Sequence, residues 1–289
     1  MTELKRYFNH RLTQLGYDDD MDIRYNLGYC QGDGMAFYGK IENHAPLVER
    51  FKAHLESDQA TVYKRLKARQ SIDSLNRYIE ILNTWSTAVV DISMIGNDRY
   101  HHFNSMNVES EALEAEELID QVEDDNYVVD DRPGVVSAIT QGESLWDGYL
   151  EWLKEDVSNI SHALEREGYN VLEAMVSEPK DVWRKTTPQF AVTVELAGDE
   201  NGLDGWDTDI AIDTLKEFAN EQGSCYCLKA IVTCRNSGVN LGDACLGGIH
   251  TTKSLRDANG HEHGYLAELV YEAIQEAKAK LSLHEALAA

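Results

Sequence analysis

The sequence has few basic residues for its length. Its 289 residues include 26 Lys and Arg against 51 Asp and Glu, which gives a formal net charge of −25 at pH 7. Proteins that bind duplex DNA or RNA neutralise phosphates with Lys and Arg, and anionic membrane surfaces attract the same basic residues. We therefore expect no direct binding of nucleic acid or membranes. The acidity instead favours partners that are themselves basic proteins.

Long apolar runs are also missing. No stretch approaches the ~18 consecutive apolar residues that indicate a transmembrane helix, and Met1–Tyr7 lacks the apolar run of a secretory signal. The five cysteines are an odd number, which favours reduced thiols over a disulfide framework. With 43% hydrophobic residues the chain has enough apolar material for a folded core. The sequence therefore predicts a folded cytoplasmic protein.

The common signatures of catalysis and phosphate binding are absent. There is no G-x-S-x-G, H-E-x-x-H or Walker sequence, and the turn Gln31–Gly34 lacks the lysine of a phosphate-binding loop. A zinc knuckle with C-x2–4-C spacing is missing too. The thiols and imidazoles that lie near one another in sequence are Cys225, Cys227, Cys234, Cys245, His250, His261 and His263. We expect packed thiols, no metal, no cofactor and no catalytic residues.

The apolar pattern predicts an α+β protein with two α+β domains. In the first domain, the glycine-rich turn at Gln31–Gly34 separates two strand-like runs, as in a β-hairpin. Its predicted elements are antiparallel hairpins over 23–41 and 85–108 and helices over 45–84, 111–122 and 145–164. We place this domain at residues 1–178.

A second domain is predicted after residues 177–188, which contain two of the four prolines and are interpreted as a linker. Alternating and helical apolar patterns follow one another beyond it, in the order β-α-β-β-α. The predicted elements are strands over 190–196, 226–234 and 239–249 and helices over 210–219 and 264–281. We place this domain at residues 186–289.

The negative charge is concentrated in one part of the chain. Residues 106–180 contain 20 acidic and 4 basic residues, and no base interrupts the acids between 109 and 131. These acids, which we call the acidic segment, are Glu109, Glu111, Glu114, Glu116, Glu117, Asp120, Glu123, Asp124, Asp125, Asp130 and Asp131. The apolar residues among them, Leu113, Leu118, Ile119 and Val122, are expected to dock the segment on a core. The segment is either a solvated face that aids solubility or a contact surface for a basic partner.

One stretch resembles a known group of proteins. Residues 25–37 read Y-N-L-G-Y-C-Q-G-D-G-M-A-F, which resembles a segment of small accessory proteins from phages and mobile elements. In that group a hairpin like residues 99–106 and a long helix like residues 145–164 follow in the same order. The length and two-part layout are similar to the phage anti-Gabija inhibitors. That resemblance implies binding to a nuclease–helicase defence complex and exclusion of its DNA.

Three functional hypotheses follow. The first is a non-enzymatic, phage-encoded anti-defence protein of the host bacterial cytoplasm, whose acidic segment binds a basic, nucleic-acid-binding host defence protein. The second is an enzyme that cleaves or sequesters a nucleotide signal, with His101, His102, His261 and His263 as its candidate residues. The third is an acidic structural or regulatory phage protein. A homo-oligomer is compatible with all three.

Overall fold

Two four-stranded antiparallel sheets form the framework of the protein. The computed structural model describes residues 2–30, 32–57, 62–95, 105–124 and 132–288. The helices are α1 (Thr2–Gln14), α2 (Ala45–Ser57), α3 (Val62–Trp85), α4 (Ala115–Asp124), α5 (Arg132–Met175), α6 (Thr208–Ala219) and α7 (Tyr265–Ala288). The strands are β1 (Asp22–Asn26), β2 (Gly34–Ile41), β3 (Val90–Met94), β4 (Met106–Ser110), β5 (Lys180–Thr186), β6 (Phe190–Gly198), β7 (Ser224–Cys234) and β8 (Asn240–Thr251). The predicted α+β class is confirmed.

The chain divides into two compact units, each with one sheet. The β1–β4 unit is Phe8–Glu165, and the β5–β8 unit combines Met1–Tyr7 with Arg166–Ala289. The division therefore falls inside α1 and inside α5, and residues 166–178 belong to the second of these units. A continuous helix gives no change of composition at such a point, so linker signals in the sequence did not mark it.

The β1–β4 unit contains the predicted first hairpin. Strands β1 and β2 pair antiparallel with Ile23 opposite Phe37 and Tyr25 opposite Met35, which confirms the hairpin over residues 23–41. Strand β3 pairs with β2 and with β4, so the sheet order is β1-β2-β3-β4. The strands of the predicted second hairpin are therefore paired as expected. Its connecting residues 96–104, with His101 and His102, lie outside the described residues.

A buried histidine connects elements of this unit. Only 3% of the surface of His44 is exposed, and its ring lies edge-on to Trp146 of α5 at 5.4 Å. Its Nε2 lies 2.6 Å from the carbonyl oxygen of Ala88, and its Nδ1 lies 3.0 Å from the hydroxyl of Tyr149. Because a carbonyl only accepts, Nε2 carries the proton, and Nδ1 of the neutral ring accepts from Tyr149. Burial lowers the pKa of His44, against the opposing influence of the Ala88 carbonyl.

His44 should make the stability of the protein fall in mild acid. Its folded-state pKa lies below its unfolded value, so the unfolded chain takes up a proton first as the pH drops below about 6.5. The free energy of unfolding should therefore decrease from pH 7.5 to pH 5.5. In His44→Gln, which has no such titration, urea unfolding should show a shallower decrease over the same range. Parallel pH dependences in the two proteins would contradict this assignment.

The β5–β8 unit is a sheet with one helix across one face. Its strands lie in the order β5-β6-β7-β8, all antiparallel. Leu266, Leu269, Ala273 and Ala277 of α7 are buried against the sheet. The sheet residues in this core include Val194, Leu196, Leu228, Ala230 and Val232. The buried residues recur every second position along the strands and every third or fourth position along the helix. This is the pattern of an amphipathic sheet packed against an amphipathic helix.

The predicted linker over residues 177–188 is wrong, because residues 180–186 form strand β5. The two prolines of this region, Pro179 and Pro188, flank the strand, and a proline next to a strand removes no hydrogen bond from its ladder. A bulge between Asp181 and Trp183 breaks the alternation of β5, and Val182 and Trp183 both pack against the α7 core. The unit therefore reads β-β-α-β-β-α, with one strand more than predicted.

Candidate partner-binding surface

The structure places the acidic segment on β4, on α4 and on the residues between them. Its described members are exposed, and they are Glu109, Glu111, Glu114, Glu116, Glu117, Asp120, Glu123 and Asp124. Asp125, Asp130 and Asp131 lie outside the described residues. The eight described acids follow one another on two ordered elements and the short connection between them. The segment is thus a folded surface over its described part.

Helix α4 is held by its apolar side. Ala115, Leu118 and Val122 are buried, and Leu118 and Val122 have no exposed surface. Their spacing of three and four residues places them on one side of the helix. The prediction that the segment docks on a core is confirmed at Leu118 and Val122, whereas Leu113 and Ile119 are half-buried. Because this side is fixed, the opposite side of α4 faces solvent in a defined orientation.

The acids of α4 share that opposite side. We call Glu116, Glu117, Asp120, Glu123 and Asp124 the α4 acidic face. At 3.6 residues per turn these five positions fall within an arc of about 120°, opposite the buried positions. From residue 116 to residue 124 the helix rises about 12 Å, so the face carries one negative charge per about 3 Å.

This face is unfavourable for the helix itself. Asp120 has an acid at each of the positions i−4, i−3, i+3 and i+4, and like charges at these spacings repel. Acids in the first turn, such as Glu116 and Glu117, interact well with the helix dipole, but Glu123 and Asp124 lie at the negative end. The charge pattern of α4 is therefore not one that optimises helix stability.

Replacing Asp120 with lysine should stabilise the protein. The change turns four repulsive pairs into attractive ones, and at about 0.2–0.5 kcal/mol per pair the gain in unfolding free energy is about 1–2 kcal/mol. Urea unfolding at low salt would measure it. Asp120→Asn removes the repulsion only and should give a smaller gain. Salt screening should reduce the gain of both variants, and a loss of stability in Asp120→Lys would contradict the assignment of these contacts.

One lysine forms an ion pair at the β4 end of the segment, where three acids lie close together. Lys40 of β2 donates to Glu111 at 2.6 Å, and Asp91 of β3 lies opposite both Lys40 and Glu109 in the sheet. The hydrogen bond from Lys40 to Glu111, with the charge of that carboxylate, raises the pKa of Lys40. Among the described residues, this is the one ion pair of the acidic segment. The five acids of the α4 acidic face form no ion pair among the described residues, and the Arg132 guanidinium donates to the backbone carbonyl of Glu123 at 3.1 Å near the end of the helix.

The histidines proposed for the enzyme hypothesis do not form a site where they are described. The ring of His263 interacts through Nε2 with the carbonyl oxygen of His250 at 2.8 Å, and His261 is exposed. Glu262 between them accepts from the backbone of Asn259, from Lys253 and from the Tyr226 hydroxyl, at 3.0–3.1 Å.

These hydrogen bonds make Glu262 an anchor of its loop. Burial of the Glu262 carboxyl opposes ionisation, but the donors outweigh it and lower its pKa to about 2. A carboxyl with this pKa is ionised at neutral pH and is a poor general acid. The hydrogen bonds of Glu262 therefore serve to hold the loop of residues 259–263 in place.

Of the four C-terminal cysteines, Cys225 is buried, Cys227 and Cys234 are half-buried and Cys245 is exposed, so the prediction of packed thiols is wrong for Cys245. Hydrogen bonds from Ser237 lower the pKa of Cys234. Cys225 is buried, and burial together with the charge of Asp199 raises its pKa to about 12. Burial also raises the pKa of Cys227. Thiols with raised pKa values are poor nucleophiles and poor metal ligands. Among the described residues, no three His, Cys, Asp or Glu side chains are arranged to hold a metal ion.

Comparison of the chain with protein families, curated proteins and solved structures finds no match. Within the described residues, no helix has both the length and the apolar character needed to cross a bilayer. The surface that stands out by charge, exposure and fixed orientation is the α4 acidic face.

Proposed function

We propose that this protein is a non-enzymatic anti-defence protein of a phage, which binds a host nucleic-acid-targeting defence complex and blocks its DNA binding or cleavage. The α4 acidic face is its contact with a basic surface of that complex. The single observation that carries the proposal is the concentration on one side of α4 of five exposed acids, none of which forms an ion pair within the described residues. The phage context and the Gabija-like target rest on the resemblance of residues 25–37.

The spacing of the charges supports imitation of a nucleic acid. One charge per about 3 Å along α4 is close to the 3.4 Å between charges along one DNA strand. A groove that binds a phosphate row with Lys and Arg would meet a similar row of carboxylates here. Electrostatic complementarity of this kind speeds association and selects basic partners.

The self-repulsion on α4 also supports a binding role. A solvated surface that served solubility alone would be as effective with its acids spaced apart, where they would not destabilise the helix. Here Asp120 has four acidic neighbours on the same helix. Contact with a cationic partner would relieve that repulsion, so binding would gain free energy that the free protein lacks.

The first experiment is a low-salt pull-down with the full chain from phage-infected cells, followed by a DNA-cleavage assay with a purified Gabija nuclease–helicase complex. We expect a nucleic-acid-binding defence protein to co-purify and the chain to inhibit cleavage. Glu116→Gln/Asp120→Asn should weaken inhibition about tenfold, equivalent to about 1.4 kcal/mol. Raising the salt concentration should weaken wild-type inhibition as well.

The matched control is Glu268→Gln/Glu272→Gln on α7. These residues are also exposed and four positions apart, so the variant removes the same charge from another helix. It should inhibit like the wild type. If no such defence protein co-purifies at low salt, the proposal is wrong. Equal losses in both variants would show that net charge matters and would exclude the α4 acidic face as the specific contact.

A further inference from the structure

The sheet of the β5–β8 unit has a second face, opposite α7. Side chains alternate between the two faces of a strand. Val192, Val194, Leu228 and Ala230 are on the side of α7, so Thr193, Glu195, Lys229 and Ile231 lie on the other side. Among the described residues of the β5–β8 unit, α7 is the helix in this apolar core. The end of this side near Cys225 and His250 is covered by α6, since the ring of Phe218 lies 5.6 Å from that of His250. We call the rest of the side away from α7 the open face.

The open face carries two charged rows that cross all four strands. The register of the strands aligns the residues of each row from β5 to β8. The first row is Arg184, Thr193, Ile231 and Asp243, and the second row is Asp181, Glu195, Lys229 and Cys245. Arg184, Lys229, Asp181 and Cys245 are exposed, and the other four are half-buried.

Two pairs of opposite charges lie at positions equally far from the centre of the sheet, whereas the outer positions of the second row, Asp181 and Cys245, are not such a pair. In the first row Arg184 lies on one edge strand and Asp243 on the other. In the second row Glu195 and Lys229 lie on the two inner strands. Among the described residues, Arg184 and Lys229 make no ion pair, and the Asp243 side chain accepts from Asn240. In each of these pairs, a positive charge on one half of the sheet therefore corresponds to a negative charge at the equivalent position on the other half.

A surface with this pattern is complementary to itself. Consider two copies whose open faces meet, related by a two-fold axis that lies between the faces, runs parallel to the strands and passes between β6 and β7. This axis places β5 of one copy over β8 of the other, and β6 of one copy over β7 of the other. Arg184 then faces Asp243 of the other copy, Glu195 faces Lys229, and each pair occurs twice. An isologous dimer requires this kind of self-complementarity.

We propose that the open face is the interface of a homodimer, formed with a second copy of this chain. Packed sheets lie about 10 Å apart, a gap that long Arg and Lys side chains span with their aliphatic stems. Ile231 at the centre of the face packs over Thr193 of the partner copy. The inference is independent of the proposed function, because α4 belongs to the other unit.

The size of the face fits a modest dimer. Four strands at about 4.8 Å spacing and about 7 residues of length give a patch of about 19 by 23 Å, or roughly 440 Å² per copy in projection. Counted on both copies, the side chains bring the buried area to about 1,000 Å² or slightly more, which is the lower limit of specific interfaces. We therefore expect a dimer that dissociates on dilution and on raising the salt concentration.

Charge-swap variants of the full chain test the proposal by sedimentation equilibrium. The wild type should be dimeric at low salt. Arg184→Asp alone places two carboxylates opposite each other at both edges, and Asp243→Arg alone places two guanidinium groups there. Each variant should be monomeric. An equimolar mixture of the two variants should dimerise again, because each edge then pairs one carboxylate with one guanidinium group.

The matched control is Lys278→Glu, which changes the charge by the same amount at an exposed position of α7. It should remain dimeric. Recovery of the dimer in the mixture also shows that both variants are folded. A wild type that stays monomeric up to about 100 µM overturns the proposal. Single variants that dimerise like the wild type, or a mixture that fails to recover, overturn it equally.

Discussion

Replacing Asp156 with alanine is expected to lower the free energy of unfolding by about 3 kcal/mol, since breaking a largely buried ion pair leaves the charge of its partner uncompensated. The carboxylate of Asp156 on α5 accepts from Arg50 Nη2 at 2.5 Å and from the Tyr17 hydroxyl at 2.8 Å. Arg50 also donates to the carbonyl of Leu15 at 2.9 Å. The Asp156 side chain, through its contacts with Arg50 and Tyr17, thus connects α5 with α2 and with the residues after α1.

The environment explains the expected size of this loss. The side chain of Asp156 is 11% exposed and that of Arg50 is 29% exposed, so water replaces the lost contacts only in part. Tyr17 is buried, and its burial, followed by the charge of Asp156, raises its pKa well above the usual value. Because Arg50 retains some exposure and a ring contact with Trp152, the loss should lie at the lower end of the range for buried pairs.

Two controls separate the network from the loss of any charge on α5. Asp156→Asn keeps an acceptor for one donor but removes the charge, so we expect a loss of about half that of Asp156→Ala. Glu151→Ala removes an exposed ion pair with Lys154 on the same helix and should change stability by less than about 0.5 kcal/mol. Urea unfolding measures all three. Similar losses in Asp156→Ala and Glu151→Ala would contradict the role of the network.

Replacing Gly242 with valine should destabilise the β5–β8 unit by about 2–3 kcal/mol. A Cβ atom at this position of β8 would lie 2.5 Å from the backbone nitrogen of Ala277 and 2.6 Å from the carbonyl oxygen of Ala273. These are backbone atoms of α7, so relief requires the helix to move away from the sheet. That movement would loosen the apolar core between α7 and β6–β8.

The control for Gly242 is a glycine with free space. A Cβ atom at Gly148 of α5 would meet no heavy atom within 4 Å. Gly148→Ala should therefore stabilise the protein by about 0.5–1 kcal/mol, because alanine favours the helix. Thermal unfolding of both variants gives the comparison. A Gly242→Val protein as stable as the wild type would show that α7 is less closely packed on β8 than described.

The local elements were predictable because their signals lie in short stretches. The turn at residues 31–34 and the alternating runs around it indicated the first hairpin, but the two strands pair across a longer connection than that turn, since Asn26 lies opposite Gly34. The pairing of β2 with β3 joins strands separated by two helices, and no local pattern encodes it. Helix α5 extends beyond the predicted residues 145–164 at both ends. Within the extension, the missing Cβ atom of Gly142 leaves room for Tyr78, since a Cβ atom there would lie 2.5 Å from that side chain.

The acids of the candidate surface were predictable from the sequence, but the ion pair at its β4 end was not. The run of acids gave the exposed residues of α4, because charged side chains at the non-apolar positions of an amphipathic helix face water. The contact between Lys40 and Glu111 joins residues 71 positions apart, so it depends on the sheet. The open face could not be predicted from the sequence for a similar reason, because its two rows form only when four strands pair in register.

The division of the chain into units has a consequence for its synthesis. Phe8–Glu165 is one continuous stretch, whereas Met1–Tyr7 belongs to a unit whose remaining residues begin at Arg166. At translation rates of about 5–20 residues per second, the first residues wait roughly 8–30 s before synthesis of the rest of their unit even begins at Arg166. On the ribosome the β1–β4 unit therefore folds while the apolar side of early α1 is without its final neighbours. A chaperone that binds nascent chains would meet Leu4 in that interval, although it is buried in the finished protein.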